Sequence, residues 1–228
     1  MRSSYAAAFV PKARRWRTHL LTLVAVGVLA ARGLAAQTIV YSTFGPGDSY
    51  RTGVSCCDQY IVQYTQWMAA SFTYAGPSGL ELERVRLATY FGPGGASAPT
   101  ASFWAGSDIG SATLLESWVL TGYTPNVDQI FSLSAVTGNP FVTGETYWLR
   151  LATGITGSTG GWRWNDQGVL GASASFDQGT SWQSFPEANA LAWDVSAILT
   201  PEPATMTLLA TGLAGLAGAS LIRRRRKV

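Results

Sequence analysis

The chain has 228 residues, is 47% hydrophobic and 13% charged, and carries a formal charge of +3. That charge is unevenly spread: residues 1–36 hold six basic side chains and no acid, residues 201–228 five and one, and the stretch 37–200 five arginines, no lysine and twelve acids. An acidic middle excludes a nucleic-acid-binding domain, which needs a basic face, and with His19 the sole histidine it also excludes there a Ser-His-Asp or Cys-His centre, His-ligated zinc and a lysine nucleophile.

The N-terminal segment reads as an export signal. Arg2, Lys12, Arg14, Arg15 and Arg17 precede a twelve-residue apolar run at 20–31 (LLTLVAVGVLAA), and Gly33, Leu34, Ala35 and Ala36 supply small residues for cleavage. The run falls short of the roughly 20 residues that span a bilayer. Residues 1–36 are therefore expected to be a signal peptide, with signal peptidase and the export machinery as partners.

The middle, 37–199, is expected to be one all-β domain, a β-sandwich of jelly-roll type. It holds eight Trp, eight Tyr and eight Phe, and no long stretch places apolar residues at helical spacing. Strands are predicted at 38–44, 59–66, 68–74, 80–90, 101–104, 113–121, 129–133, 147–152, 161–164, 181–185 and 191–199. Turn signals separate many of them, among them GPG at 45–47, AGPSG at 75–79, FGPGGASAP at 91–99 and TGNP at 137–140. Within 80–90, Leu80 and Leu82 alternate with Glu81 and Glu83, but the apolar set resumes at Val85 and Leu87. That odd step predicts a bulge near Glu83 and Arg84. Tyr147, Leu149 and Leu151 alternate with Trp148 and Arg150, so one of those two sets faces the core.

Four groups of residues in the middle are candidates for chemistry. Cys56 and Cys57, the only cysteines, are adjacent. In an exported domain they either close a strained vicinal disulfide across the turn at 53–58 or stay free or pair between molecules, because neighbouring Cα atoms lie only about 3.8 Å apart. The segment GWRWNDQG at 161–168 puts Trp162 and Trp164 on one strand face with Asn165 and Asp166 at its end. Such a set suits stacking and hydroxyl binding of a glycan, while the competing reading makes these rings core. Trp118, Tyr123, Trp182 and Trp193 belong to the same aromatic set. Asp48, Asp108, Asp166 and Asp177 sit in Gly/Ser-rich loops where calcium ligands gather, although no cofactor is expected. Paired carboxylates would be needed for glycoside hydrolysis; Glu81 and Glu83 share a face but alternate with leucine as a solvated face does.

The features QWMAASFTY at 66–74, LELERVRL at 80–87, SDIGSATLLESWVL at 107–120, GETYWLRL at 144–151 and GWRWN at 161–165 resemble the exported β-sandwich domains called choice-of-anchor. That resemblance brings no catalytic residues with it, and the domain is expected to be non-catalytic.

The C-terminal segment, 200–228, reads as a sorting tail. Pro201, Glu202 and Pro203 break regular structure. Residues 204–222 are nineteen without a charge, long enough as a helix to cross a core of about 30 Å. Arg223, Arg224, Arg225, Arg226 and Lys227 follow as a cytoplasmic anchor. Pro-Glu-Pro, an apolar span and a terminal basic block, in that order, resemble the PEP-CTERM sorting signal of exopolysaccharide-producing Gram-negative bacteria. The resemblance implies recognition by a membrane-embedded exosortase, anchoring in the inner membrane during sorting, and delivery to the cell surface or extracellular matrix. The function expected is structural or adhesive, with exopolysaccharide a candidate partner. The alternatives are a lectin-like module and, at greater remove, a glycoside hydrolase.

Overall fold

The computed structural model describes residues 37–52, 59–62, 66–92, 98–152, 160–199 and 211–212. Among them run twelve strands: β1 Thr38–Ser42, β2 Gln59–Val62, β3 Trp67–Thr73, β4 Leu80–Phe91, β5 Thr100–Ala105, β6 Thr113–Val119, β7 Asp128–Ser134, β8 Thr146–Ala152, β9 Gly160–Arg163, β10 Leu170–Ser175, β11 Gln183–Asn189 and β12 Trp193–Leu199. They form two antiparallel sheets. One has the order β1-β12-β4-β9-β2, with β7 also paired to β4; the other has the order β11-β10-β3-β8-β5-β6. Residues Gln37–Leu199 make one compact unit.

Strand parity explains which faces meet. In β4 the residues Leu80, Leu82, Val85 and Leu87 are all buried. Their parity changes because Ser196 of β12 pairs with Arg84 while the next residue, Ala197, pairs with Leu82. Glu83 is therefore the extra residue of a bulge, as the leucine spacing predicted. In β8, Tyr147, Leu149 and Leu151 face inward and are at most 2% exposed. The two inner faces interlock through aromatic rings. Phe72 of β3 stacks on Tyr41 of β1 at 4.7 Å and on Tyr147 at 5.7 Å, and meets Trp193 of β12 at 5.8 Å. Tyr147 in turn lies nearly parallel to Phe103 of β5, at 5.6 Å. Each such pair adds about 0.5–1.5 kcal/mol beyond the area it buries.

Two strand assignments differ from the sequence reading. β10, of sequence LGASAS, was not foreseen, since it carries no β-branched or aromatic residue. It forms because β3 and β11 pair with its two edges. The strand expected at 181–185 begins at Gln183 and continues to Asn189. It contains Pro186, which an edge strand tolerates. Residues 1–36, read above as a signal peptide, Cys56 and Cys57, and the tail from residue 200 onward lie outside the described residues, apart from a helical Thr211 and Gly212. Among the described residues no helix is long and apolar enough to cross a membrane.

Candidate functional site

The face of β8 turned away from the core carries Trp148 and Arg150. Arg150 pairs across the ladders with Ala69 of β3 and Ser102 of β5. Both neighbours are small, which leaves the long arginine room to lie down on the sheet. One step along each neighbouring strand on the same face stand larger residues, Trp67 on β3 and Trp104 on β5. Diagonal neighbours of this kind lie about 7–8 Å apart, within reach of long and aromatic side chains. Trp182, just before β11, closes the group. The guanidinium of Arg150 sits over Trp104 at 4.0 Å, over Trp182 at 4.9 Å and over Trp67 at 5.8 Å.

Local chemistry sets each wall. The indole N–H of Trp104 donates to the Ser102 hydroxyl at 2.8 Å, and that of Trp148 to the Gly106 carbonyl at 2.8 Å. Trp182 is presented by a turn built on Asp177, whose carboxylate accepts the Ser181 amide at 2.8 Å and the Ser181 and Ser175 hydroxyls at 2.6 and 2.8 Å. These donors hold the Asp177 carboxyl down to about 2. Gly179, in the same turn, has φ +84° and lies against the Trp67 ring; an added Cβ would come within 2.5 Å of it. On the other side, the Asp108 carboxylate accepts the Gly110 amide at 2.7 Å and shapes the loop before β6. That loop delivers the Ile109 carbonyl to Nη2 of Arg150 at 3.1 Å.

The electrostatics of Arg150 set it apart from the buried Arg163 and the partly buried Arg86. Arg86 holds Asp194 and Asp48, and Arg163 holds Asp128. Arg150 is 8% exposed and, among the described residues, has no carboxylate within 4.0 Å. Burial pushes its guanidinium down to about 10. Its Nε is buried without a hydrogen-bond partner, as are the indole nitrogens of Trp67 and Trp182. The guanidinium has five N–H donors, and its bond to Ile109 is the one it makes among the described residues. Beside it opens a cleft of about 390 Å³, lined by Trp67, Thr100, Ser102, Trp104, Leu114, Ser117, Arg150 and Ala152. That volume falls within the range of small-molecule sites, about 300–1,000 Å³. Its walls offer indole faces, hydroxyls and one cation, and no carboxylate.

The residues singled out from sequence lie elsewhere. Trp162 is fully buried, meets Trp193 edge-on at 6.3 Å and donates its indole N–H to the Ala192 carbonyl at 2.9 Å. Trp164 is 8% exposed and bridges to Leu191. Asn165 is fully buried: its amide donates to the Val169 and Ala190 carbonyls at 2.8 and 2.6 Å, and its oxygen accepts the Gln167 and Val169 amides at 2.9 and 3.0 Å. Only Asp166 is exposed, and the Ser49 hydroxyl and Gln167 amide hold its carboxyl below the usual range. Of the two readings of Trp162, Trp164, Asn165 and Asp166, the core one fits and the glycan platform does not: both rings are buried, and Asn165 ties a turn. Trp118 donates to the Ser134 carbonyl at 2.9 Å, Tyr123 packs on Phe91 at 5.0 Å and Trp193 is core, so of the wider aromatic set Trp182 alone meets the Arg150 guanidinium, and it does not line the cleft. Of the calcium candidates, Asp48 is paired with Arg86, and Asp108, Asp166 and Asp177 accept local hydrogen bonds. Among the described residues no three His, Cys, Asp or Glu side chains gather as metal ligands would. Trp67, Trp104 and Arg150 escaped the sequence reading as a site. Their signal was the outward parity of β8, where an arginine and a tryptophan alternate with three core residues.

A family model for the PEP-CTERM protein-sorting motif matches residues 199–226. The chain therefore carries a PEP-CTERM motif, which implies an exported protein sorted through the membrane with an exosortase as its processing partner. Among curated proteins no relative matches the chain.

Proposed function

We propose that this is a non-catalytic structural or adhesive protein of the cell surface or extracellular matrix, delivered there by its sorting tail. The observation that carries the reading is the PEP-CTERM motif at residues 199–226, following a stretch whose described residues form a two-sheet β unit. In this account residues 1–36 export the chain and are removed. Residues 204–222 hold it in the inner membrane, and the basic side chains from Arg223 to Lys227 stay on the cytoplasmic side. The exosortase acts at or near Pro201, Glu202 and Pro203.

The test is replacement of that tripeptide by three alanines, expressed in a host with an exosortase. Export and membrane insertion are expected to persist, because the signal and the apolar segment are untouched. Processing is expected to stop, leaving the full mature length in the inner-membrane fraction. If the variant is trimmed and released like the parent, as read by fractionation and mass measurement, the tail is a plain anchor and the sorting account fails.

A further inference from the structure

The geometry points to the cleft beside Arg150 as a binding site for an acidic sugar residue, the carboxylate seated on the guanidinium and the ring face laid on the indole walls of Trp104 and Trp67. This deepens the adhesive reading and rests on it for one thing, the placement of the domain outside the cell membrane, where polysaccharide is found.

Three observations select the ligand class. First, the site holds a buried cation with no counter-charge among the described residues. The other buried arginine of the domain, Arg163, is matched by Asp128, and the partly buried Arg86 by Asp194, while the partly buried Arg84 bonds to the Ser196 hydroxyl. Arg150 is nine-tenths buried, has an unpartnered Nε and lines an open cleft with no acid in its walls. A planar guanidinium can donate two parallel N–H bonds to the oxygens of a carboxylate. Second, the walls are flat and apolar. Trp67 and Trp104 offer indole faces, and Leu114 is 48% exposed at the rim. Flat apolar walls suit the C–H face of a pyranose ring. Third, the remaining wall atoms are the hydroxyls of Thr100, Ser102 and Ser117, which both donate and accept as a polyhydroxylated ligand requires. A bare inorganic anion would leave the indoles and hydroxyls unused, and a neutral sugar would leave the guanidinium unmatched.

The charge of the domain sharpens the expectation. Residues 37–200 carry five arginines against twelve acids, so a polyanion is repelled at a distance and attracted at one point. Salt screens the exposed repulsion more than the buried pair. Binding at the cleft is therefore expected to survive physiological salt, whereas loose adsorption of a polyanion to exposed basic side chains would not.

The experiment uses the full chain, purified in a mild detergent, titrated with a short oligogalacturonate while tryptophan fluorescence and heat are recorded. The expected results are saturable binding with a change in tryptophan emission, binding to the methyl-esterified oligomer at least tenfold weaker, and comparable affinity at low and physiological salt. Arg150→Gln is expected to weaken binding at least tenfold. Because loss of Arg150 also disturbs the packing of three indoles, Leu114→Glu provides the second arm. It alters an exposed rim residue, leaves the core untouched and sets a negative charge against the ligand carboxylate, so affinity should fall threefold or more with the thermal midpoint unchanged. Equal binding of the acid and ester forms, equal binding of a polyglutamate peptide, or oligogalacturonate affinity unchanged in both variants would overturn the assignment. Failure of the tripeptide replacement to block processing would leave this result intact, since binding by the purified chain does not depend on where the chain is sorted.

Discussion

Arg86 and Asp194 face each other across the ladder between β4 and β12, and the Asp194 side chain is 0% exposed. Nε of Arg86 donates to both carboxylate oxygens, at 3.1 and 2.9 Å, and Nη2 adds a further bond. The same guanidinium reaches out to Asp48 at 2.7 and 2.8 Å and so pins the turn after β1 to the sheet. Asp48, at φ +61°, sits in a conformation that Asp tolerates better than most residues. Replacing Arg86 by Ala leaves a buried carboxylate unpaired, which typically costs about 3–5 kcal/mol. Replacing both Arg86 and Asp194 by Leu is expected to cost less than Arg86→Ala alone. Urea unfolding of the domain checks both; a larger loss for the double variant would show that the pair contributes more than relief of its own desolvation.

The turn that presents Trp182 should respond to acid. Asp177 titrates near 2 in the folded chain, against an ordinary value near 3.8. Between those values the unfolded chain binds more protons than the folded one, so stability rises with pH across that window and is lost as pH falls through it. Asp177→Asn is expected to remove this share of the acid sensitivity while leaving the rest, part of which comes from Asp48, held down by Arg86. Thermal midpoints measured from pH 2 to pH 6 give the comparison.

Gly179 is expected to tolerate no side chain. Its positive φ is strained for an L-residue, and an added Cβ would meet the Trp67 ring at 2.5 Å. Gly179→Ala should cost about 1–3 kcal/mol and shift Trp67. Gly144 is the control: it also has a positive φ, +85°, but nothing lies within 4 Å of its Cβ position. Gly144→Ala should therefore show the backbone cost without the ring displacement. Near-ultraviolet circular dichroism separates the two, because only the first moves an indole.

Phe72 joins four rings from β1, β8, β12 and the loop before β8. Phe72→Ala is expected to cost about 3–5 kcal/mol and to broaden the unfolding transition of both sheets together. Two separate transitions would show that the sheets fold independently of this ring.

Deleting residues 223–227 should act on the tail differently from the tripeptide change. Each basic side chain near an anionic leaflet contributes about 1 kcal/mol of anchoring, so the deletion should leave a fraction of the chain uninserted. Membrane fractionation reads that fraction directly.

The sequence by itself determined the all-β class, the bulge at Glu83 and the identity of the tail. These are local properties: alternation with period two, a parity change within one strand, and a linear motif whose residues are consecutive in the chain. Partition of aromatic residues between core and surface was not local. Trp162 on β9 and Trp164 just beyond its end follow the same alternation as a half-exposed strand, and only long-range contacts bury them, with Trp193 and the Ala192 carbonyl against Trp162 and Leu191 bridging to Trp164. β10 was invisible for a related reason, since Leu170–Ser175 has no strand preference of its own and takes its conformation from partners on both edges. The cluster of indoles around Arg150, beside which the cleft opens, belongs to the tertiary structure outright. Trp67, Trp104, Arg150 and Trp182 come from three strands and one turn, as much as 115 positions apart in the chain. What brings them together is the register that sets Arg150 between Ala69 and Ser102. Shifting either ladder by one residue would turn the arginine's neighbours to the opposite face and leave the cation with no walls.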